Sequence, residues 1–490
     1  MSADEIPQPR LPLALALAPL GALFAAIVGG AVTLGFRGEL LFAAMLFAAC
    51  IAGAIAAARG KGWREIQHET GQRIADALPA ILILLSIGAL LGSWMFSGTI
   101  PLMITLGIDL INPRFMVLTA FVATALMSTI TGTSWGSAGT IGVALMGTAH
   151  AMGLPLAPVA GAVVSGAYFG DKLSPLSDMT NIAAIGARVD LFVHIRHMLD
   201  TSLPPTLIAL AVYVFVGMSA GASNENLANA LLVKSELDAI FDLGIAAAAP
   251  LVIAIVGIAL RQPPALVIVA SSAFALIIGV AVQGFPPAAA LATFVNGFDL
   301  GAVYTADTSS AGLTSLLNRG GVFSMAPTLM FIIAAFLLAG AMQVSGALDS
   351  LLHALLSMVR SAFGLVAAAM AAGAVMVAMT SHGGVTSLVV GGLFHQPFVD
   401  RGLAPENLSR AIEDSVVVTE PLMPWTVSAL FMATTLGVAT AAYLPWAVFC
   451  LLGPLTSLVF AAMYQLTGVG LRKAKAAPDE AIDRQAAPPA

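Results

Sequence analysis

The sequence predicts an all-α polytopic membrane protein, with about 11 to 13 hydrophobic segments in two inverted repeats that contain broken or re-entrant helices. Composition supports this class, because 59% of the 490 residues are hydrophobic and only 9% are charged. Soluble domains carry roughly 25% charged residues. Apolar stretches long enough to cross a ~30 Å hydrocarbon core recur along the chain, and polar interruptions recur in both halves.

Charge and motif content exclude several other classes. The formal net charge is −6 without a long basic run, so no nucleic-acid partner is expected. Cys50 and Cys450 lie in apolar segments, where we expect packing residues that are neither bridged nor metal ligands. Neither HExxH nor GxSxG occurs, so we expect no enzyme and no cofactor besides transported ions. Two acids near the start lead into a full-length span, so no cleavable signal peptide is expected.

The distribution of basic residues predicts the topology. Residues 1–12 are expected to be a cytoplasmic N-terminus, 13–220 and 243–468 the two repeats, 221–242 a loop between them, and 469–490 a disordered cytoplasmic tail. Basic residues mark the loop after the second span and the end of the last span: Arg59, Lys61, Arg64, Arg73, Arg472, Lys473 and Lys475. Since such residues accumulate on cytoplasmic loops, we expect a protein of the cytoplasmic (inner) membrane with both termini on the cytoplasmic side.

Matching breaks in the two halves indicate a duplication. Thr131 and Thr380 each precede a cluster of small residues, and they lie 249 positions apart. Ser97-Gly98 matches Ser345-Gly346 at 248, and Pro175-Leu176 matches Pro421-Leu422 at 246. The polar connector of the second half, 284–322, has fewer basic residues than that of the first, as expected of inverted halves.

The stretch GAVVSGAYFGDKLSPLSDMTN, residues 161–181, is the strongest candidate for a functional site. Charged side chains inside a membrane cost at least ~3 kcal/mol and mark function by default. Asp178 is the first choice for the functional carboxylate, because hydroxyl and amide residues surround it and Pro175 opens the backbone nearby. Asp171 beside Lys172 is more ambiguous, since the two are also compatible with a structural ion pair.

The second half supplies three more acids before a proline. They are predicted to bind ions or protons and to lie on one helix. Glu413 and Glu420 share a face of that helix and are the likelier pair to face the site of the first half, while Asp414 points about 100° away. Arg410 is placed to neutralise Glu413, which is the structural alternative for that acid. His194 and His197, at i and i+3, are expected to form a solvated or interfacial face of a surface helix.

Sodium is a hard cation that prefers oxygen ligands. The predicted Na+ ligands are Asp178, Asp171, Thr133 and Asn181. The supporting polar residues at the breaks and around the acids are Thr131, Ser134, Ser137, Lys172, Ser174, Ser177, Thr180, His382, Thr386 and Ser387. A buried carboxyl group can hold either a proton or Na+ but not both, and this competition alone couples the two fluxes.

Long sequence strings in both halves resemble those of a known family. The chain is similar to the NhaC family of Na+/H+ antiporters in the runs GTSWGSAGTIGVALMG, GAYFGDKLSPLSDMTN, LSRAIEDSVVVTEPLMPW and LGVATAAYLPWAVF. The resemblance covers roughly residues 10–470 and implies exchange of Na+ for H+, with relatives that exchange malate for lactate. Met179 and His382 depart from the family pattern, which leaves the cation stoichiometry and a second substrate open.

Three functions therefore remain open at this point. The first is Na+/H+ exchange, the second is Na+/H+-coupled exchange of a small organic anion, and the third is an ion channel that uses the same carboxylates. The inverted duplication with a break in each half favours a carrier. The expected partners are Na+, H+ and the lipid bilayer, and a homodimer is left open.

Overall fold

The computed structural model describes residues 11–34, 38–219, 224–304, 311–357 and 359–474. These ranges are almost entirely helical, and the β-structure within them is one isolated bridge between Leu403 and Lys473. The predicted all-α class is confirmed. The predicted N-terminus up to residue 10 and the predicted tail beyond residue 474 lie outside the described residues.

The first half contains two long apolar helices, a polar helix and a succession of longer and shorter helices. They are α1 (Leu13–Leu34), α2 (Gly38–Ala58), α3 (Trp63–Asp76), α4 (Leu78–Phe96), α5 (Thr99–Leu110), α6 (Met116–Thr131), α7 (Ser134–Ser137), α8 (Val143–Ala151), α9 (Leu156–Leu173), α10 (Asp178–Ala187), α11 (Leu191–Ser219) and α12 (Asn224–Ile240). A π-helical turn, Ala138–Gly142, joins α7 to α8.

The second half follows a similar order. Its helices are α13 (Ile245–Ala259), α14 (Pro264–Ala281), α15 (Pro287–Asn296), α16 (Leu300–Val303), α17 (Ala311–Leu317), α18 (Ala326–Val344), α19 (Ala347–Ser357), α20 (Ala362–Thr380), α21 (Gly383–Asp400), α22 (Glu406–Ile412), α23 (Val427–Leu436), α24 (Thr440–Tyr443) and α25 (Val448–Thr467). A π-helical turn, Glu413–Val417, follows α22, and a 3-10 turn, Glu420–Leu422, follows that.

Within the described residues, nine helices are long and apolar enough to cross a membrane, or up to eleven if each of two bent pairs counts as one span. The polytopic class is thereby confirmed. α5 and α19, with 12 and 11 residues, are apolar but too short to cross a membrane.

The two halves repeat the same helices and caps. α4 and α18 both have 19 residues, and their ends, Phe96 and Val344, lie 248 positions apart. α10 and α23 both have ten residues and are followed by a left-handed residue, Arg188 and Gly437, which are 249 positions apart. The agreement of lengths and caps supports the predicted duplication.

The caps correct one of the sequence matches. Ser177 caps α10 and Thr426 caps α23, again 249 positions apart. At this spacing Pro175 corresponds to Pro424, since each lies two residues before its cap. The match of Pro175 with Pro421 is therefore wrong by three residues, because Pro421 belongs to the preceding 3-10 turn.

The opening hairpin of each repeat packs against the other repeat. α2 contacts α18, and α14 contacts α4. Just after α2, Arg59 donates to the Ser345 carbonyl at 2.9 Å, and just after α14, Gln283 donates to the Ser97 carbonyl at 2.9 Å. The two accepting residues, Ser97 and Ser345, each directly precede a left-handed glycine, Gly98 and Gly346. The repeats are thus interlocked rather than side by side.

α9, which carries the acid-containing stretch, packs tightly on α6. A Cβ atom at Gly166 would lie 2.3 Å from the Phe121 carbonyl oxygen, and one at Gly170 would lie 2.4 Å from the Ala125 carbonyl oxygen. Small residues let membrane helices approach this closely. The pair of helices therefore holds the end of α9 at a fixed position.

Three expected connections are more ordered than the sequence indicated. The expected surface helix and the span after it form one 29-residue helix, α11. The expected inter-repeat loop contains α12, whose Lys234 contacts Asp109 of α5 at 2.6 Å. The second polar connector contains α15 to α17, and its Gly321 N–H donates to the Gly88 carbonyl of α4 at 2.6 Å.

Candidate functional site

The first break lies between α6 and α7. Gly132 adopts a left-handed conformation at φ 69°, Thr133 turns to extended backbone, and α7 begins at Ser134. The Thr133 hydroxyl accepts from the Gly136 N–H at 3.2 Å and so caps the new helix. The break therefore leaves the N–H groups at the start of α7 directed into the protein.

The second break repeats this geometry between α20 and α21. Ser381 adopts the left-handed conformation at φ 57°, and His382 follows with φ −143° and ψ 118°, close to the −146° and 120° of Thr133. α21 then begins at Gly383. Since these positions are all 249 residues from their counterparts, the breaks are equivalent parts of the two repeats.

Asp171 of α9 faces the first break. Its side chain is 4% exposed, and its carboxylate is within hydrogen-bonding reach of the Ser134 and Ser177 hydroxyls and of the Ser134 backbone N–H. A helix N-terminus and two hydroxyls stabilise negative charge. Of the predicted residues, Asp171, Ser134 and Ser177 are therefore brought together.

Glu420 faces the second break in the equivalent position, 249 residues after Asp171. It is 4% exposed and is within reach of the Ser428 hydroxyl and of the backbone at Gly383 and Ser428. A Cβ atom at Gly383 would lie 2.6 Å from Glu420 Oε2. Glycine is thus required for the carboxylate to approach the start of α21 this closely.

The two acids lie near enough to repel each other electrostatically. Tyr168, one turn before Asp171 on α9, is buried beside Ser428 and both carboxylates, and its hydroxyl makes no hydrogen bond with a described residue. Tyr168, Ser428 and Gly383 were not among the site residues predicted from the sequence. The register of the duplication was the available signal for Gly383 and Ser428, which correspond to Ser134 and Met179.

Several predicted polar residues shape the turn between α9 and α10. The Thr180 hydroxyl donates to the Asp171 and Lys172 carbonyls at 3.1 and 3.2 Å. The Asn181 amide donates to the Ser177 carbonyl at 2.7 Å, and the Ser174 hydroxyl accepts from the Leu176 N–H at 3.2 Å. These contacts fix the backbone around Asp171, so these side chains support the site.

Asp178 is not in the enclosed position that the sequence suggested. It is exposed, at the first position of α10. The Ser177 hydroxyl, expected to serve Asp178, instead caps α10 and faces Asp171. The expectation that Asp178 is a buried carboxylate is therefore wrong, and Asp171 is the buried acid of this stretch.

Lys172 and Asp414 form a buried ion pair between the two repeats. The second Asp414 oxygen accepts from Thr201 at 3.0 Å and from Ser457 at 2.8 Å. Asp414 is therefore fully partnered, and Lys172 is neutralised by Asp414 rather than by its neighbour Asp171. This ion pair joins the two repeats and does not include Asp171 or Glu420.

Glu413 and Glu420 do not lie on one α-helix, because the chain forms a π-helical turn from Glu413 to Val417 and then a 3-10 turn. The expectation of one shared helical face is wrong for this reason. Glu413 Oε1 lies 3.8 Å from His194 Nε2 and close enough to Asp171 to act on it electrostatically. Arg410 instead donates to the Gly470 carbonyl at 3.2 Å.

The other predicted hydroxyls bond within their own breaks. The Thr131 and Ser137 hydroxyl oxygens are 3.3 Å apart at the first break. The equivalent hydroxyl oxygens of Thr380 and Thr386 are 2.8 Å apart at the second break. Ser387 donates to the Gly383 carbonyl at 2.9 Å. His382 is the residue before α21, and its Nδ1 atom is buried without a hydrogen bond among the described residues.

His194 and His197 are buried, not solvated. Their face of α11 packs on α22, and His197 bonds to Asn407 there at 3.1 Å. The sequence pattern gave the correct shared face, but the polar partners that α22 supplies could not be read from it.

The described residues contain no group of three or more His, Cys, Asp or Glu that could hold a resident metal ion. The site instead offers two carboxylates, hydroxyls and helix N-termini. Such a set suits a transported hard cation or a proton rather than a permanently bound transition metal. Buried acids at broken helices, in interlocked repeats of a polytopic bundle, define the class of ion-coupled membrane transport proteins.

Sequence comparison gives the family. Residues 166–463, more than half of the chain, match the sequence model of the Na+/H+ antiporter family. The chain is also 40% identical over 434 residues to an uncharacterized Na+/H+ antiporter of Haemophilus influenzae, covering 88% of this chain and 91% of that protein. The chain therefore belongs to the Na+/H+ antiporter family, and the resemblance seen in the sequence is confirmed.

Two further relatives carry more specific names. A malate-2H+/Na+-lactate antiporter of Bacillus subtilis is 35% identical, covering 84% of this chain and 85% of that protein. The Na+/H+ antiporter NhaC of Alkalihalophilus pseudofirmus is 34% identical, covering 84% of this chain and 87% of that protein. The chain is an antiporter of the integral membrane type, and the identity of its ions is a separate question.

Proposed function

We propose that this protein exchanges Na+ for H+ across the cytoplasmic membrane, with both cations competing for the carboxylates of Asp171 and Glu420. The observation that carries the proposal is the equivalent burial of these two acids, each at the N-terminus of a helix that begins at a break. An ionisable group buried inside a membrane protein is energetically costly, so it marks a functional site by default.

Competition at the carboxylates is sufficient to couple the two fluxes. A carboxylate that holds a proton presents a neutral hydroxyl and loses its attraction for Na+. When the proton leaves, the helix N-terminus and the Ser134 and Ser177 hydroxyls stabilise the negative charge until Na+ binds. Each cation therefore enters only when the other has left.

The closeness of Asp171 and Glu420 makes the empty, fully ionised site unfavourable, because two like charges repel in a poorly solvated interior. A proton or a Na+ ion bound at either acid reduces this repulsion. The site therefore favours a loaded state, which is the state that an exchanger must carry across the membrane.

The inverted arrangement of the repeats supplies the means of alternating access. Broken helices from opposite repeats hold the site, and rocking of one repeat against the other exposes it to each side in turn. The basic residues after α2 and after α25 support a cytoplasmic position for both termini.

A second candidate is Na+/H+-coupled exchange of a small organic anion. It is favoured by the similarity to the malate-2H+/Na+-lactate antiporter. Lys172, the buried cation nearest to Asp171 in sequence, is already paired with Asp414, so no cation at this position is left over for a substrate carboxylate. This favours the exchange of cations alone.

The test uses purified protein in proteoliposomes that carry a pH-sensitive dye and a preformed proton gradient. We expect added Na+ to dissipate the gradient saturably in the wild type. Asp171→Asn and Glu420→Gln, which cannot bind a proton or carry charge, should each lower the initial rate at least a hundredfold. Folding of each variant is checked by its melting temperature in detergent.

The result has two informative alternatives. If Na+ moves the dye only when malate or lactate is present, the coupled organic-anion exchanger is the correct function. If a folded Asp171→Asn variant exchanges Na+ for H+ at the wild-type rate, the carboxylate-competition mechanism is wrong.

A further inference from the structure

One buried acid and one buried histidine take no part in the mechanism above. The Glu413 and His194 side chains have no measurable exposure, and their nearest N–O distance is 3.8 Å. Neither Glu413 oxygen and neither His194 ring nitrogen makes a hydrogen bond with a described residue. An unpartnered buried polar group costs about 1–3 kcal/mol, so four such atoms in one place require an explanation.

The charged side chains on the neighbouring helices make no hydrogen bond with this pair. On α9, Lys172 is committed to Asp414. On α22, Arg410 directs a guanidinium nitrogen to the Gly470 carbonyl and stacks 5.7 Å from the centre of the Phe460 ring. The other groups near the pair are Asp171, to which Glu413 is electrostatically coupled, and His197, which His194 influences on α11. Arg410 also acts electrostatically on His197, and its Nε and Nη1 atoms make no hydrogen bond with a described residue.

His197 follows His194 on the same face of α11. It lies one turn after His194, about 4.5 Å further along the helix axis. Its Nδ1 atom is 3.2 Å from Asp200 Oδ2, and Asp200 is exposed. Arg472 also contacts that Asp200 oxygen, at 3.7 Å, from the segment after α25.

The hydrogen bonds of Asn407 determine which His197 nitrogen exchanges a proton. The Asn407 amide nitrogen donates to the Ala404 and Arg472 carbonyls at 2.8 and 2.7 Å, so Asn407 Oδ1 is an acceptor. His197 Nε2, 3.1 Å from this oxygen, must therefore carry a proton. Nδ1, the remaining nitrogen, faces Asp200, so the nitrogen whose protonation can change is directed away from His194.

From this geometry we propose that His194 and Glu413 form a second proton-binding site, through which Asp171 gains and loses its protons. The inference rests on the proposed function, because it assumes that Asp171 exchanges protons. A proton released by Asp171 is taken up by Glu413 as its carboxylate becomes a carboxylic acid. His194 then accepts that proton and becomes an imidazolium, while Glu413 returns to a carboxylate.

This route separates the path of the proton from that of sodium. Imidazole nitrogens accept protons near neutral pH and, as imidazolium, repel Na+. The break regions around Asp171 and Glu420 instead supply oxygen atoms, which are the ligands that Na+ prefers. Exchange of Na+ for Na+ therefore needs Asp171 but does not need the His194 and Glu413 pair.

The experiment compares two fluxes in proteoliposomes: Na+-driven proton flux, and exchange of isotopic Na+ for unlabelled Na+ at equal pH on both sides. Glu413→Gln and His194→Asn should each lower the proton flux at least tenfold and leave the Na+ for Na+ exchange within about twofold of the wild type. His68→Gln, at an exposed histidine of α3, is the control and should change neither flux.

A double variant, His194→Leu with Glu413→Leu, guards against misfolding of the single variants. Replacement of unpartnered buried polar groups by apolar ones is often neutral or stabilising. The double variant should therefore melt no lower than the wild type and show the same selective loss of proton flux.

Two outcomes would overturn the second site. If the double variant keeps the wild-type proton flux, the pair does not carry protons. If it loses both fluxes together, the pair is part of the sodium site or of the structure. Asp171→Asn distinguishes failure of the underlying function, because in that variant the Na+ for Na+ exchange must also be lost.

Discussion

Asp171 and Glu420 reach equivalent helix ends by different side-chain chemistry. The shorter aspartate is met by the Ser134 hydroxyl at the start of α7, whereas the longer glutamate lies against Gly383 at the start of α21. Acid length and the residue at the helix start are therefore complementary in each repeat.

This complementarity predicts the effect of a single methyl group at Gly383. In Gly383→Ala the added Cβ would lie 2.6 Å from Glu420 Oε2, so the flexible carboxylate must move away from the helix start. We expect the apparent KM for Na+ to rise about tenfold or more, since a charge-assisted hydrogen bond contributes about 1.5–3 kcal/mol. Initial rates over a series of Na+ concentrations measure the change.

The same helix provides the control for this substitution. A Cβ at Gly392 of α21 meets no atom within 4 Å, so Gly392→Ala should keep the wild-type KM. Both variants should fold, because the group that moves at Gly383 is the end of a side chain rather than backbone. An unchanged KM in Gly383→Ala would show that Glu420 does not bind Na+ at this helix end.

At the scale of helices, the site depends on how closely α9 approaches α6. Gly170 directly precedes Asp171, and a Cβ there would meet the Ala125 carbonyl oxygen at 2.4 Å. Because this obstacle is backbone, Gly170→Ala must separate the helices and should lower the free energy of unfolding by about 1–3 kcal/mol. Thermal melting in detergent tests this, with Gly21→Ala on α1, where a Cβ meets nothing within 4 Å, as the control. Equal melting temperatures for the two variants would contradict the tight packing.

The sequence predicted the helices better than it predicted the site. Apolar length and small-residue breaks were sufficient to locate the spans and both interruptions, since these are local properties. Asp178 was preferred to Asp171 because polar residues surround it along the chain, yet Ser177 is oriented by its helix-capping role toward Asp171. Which side chain a hydroxyl faces depends on the turn geometry, and spacing alone does not give it.

Contacts between the repeats were even harder to predict from the sequence. The pairing of Lys172 with Asp414 joins residues 242 positions apart, and composition offers no rule for choosing Asp414 over the adjacent Asp171. Knowledge of the 249-residue register would have helped, because it places Glu420 opposite Asp171 and excludes Glu413 as its equivalent.

For the whole molecule, competition at one shared site predicts how pH acts on sodium transport. Protons and Na+ bind the same carboxylates in the proposed mechanism, so a fall in pH should raise the apparent KM for Na+ and leave the maximal rate nearly unchanged. For displacement of a single proton, the KM rises up to tenfold per pH unit while the site is mainly protonated. Initial rates of isotopic Na+ uptake, measured across about two pH units around neutrality, give both quantities.

A regulatory proton site elsewhere would act differently. It would change the fraction of active protein, so the maximal rate would fall with pH while the KM stayed constant. The two cases are separated most clearly at saturating Na+, where competition predicts that acid inhibition disappears. Persistent inhibition at saturating Na+ would mean that the proton and sodium do not share Asp171 and Glu420. Because each acid comes from a different repeat, relief by Na+ should require both, and the Na+ for Na+ exchange should be lost in Asp171→Asn and Glu420→Gln alike.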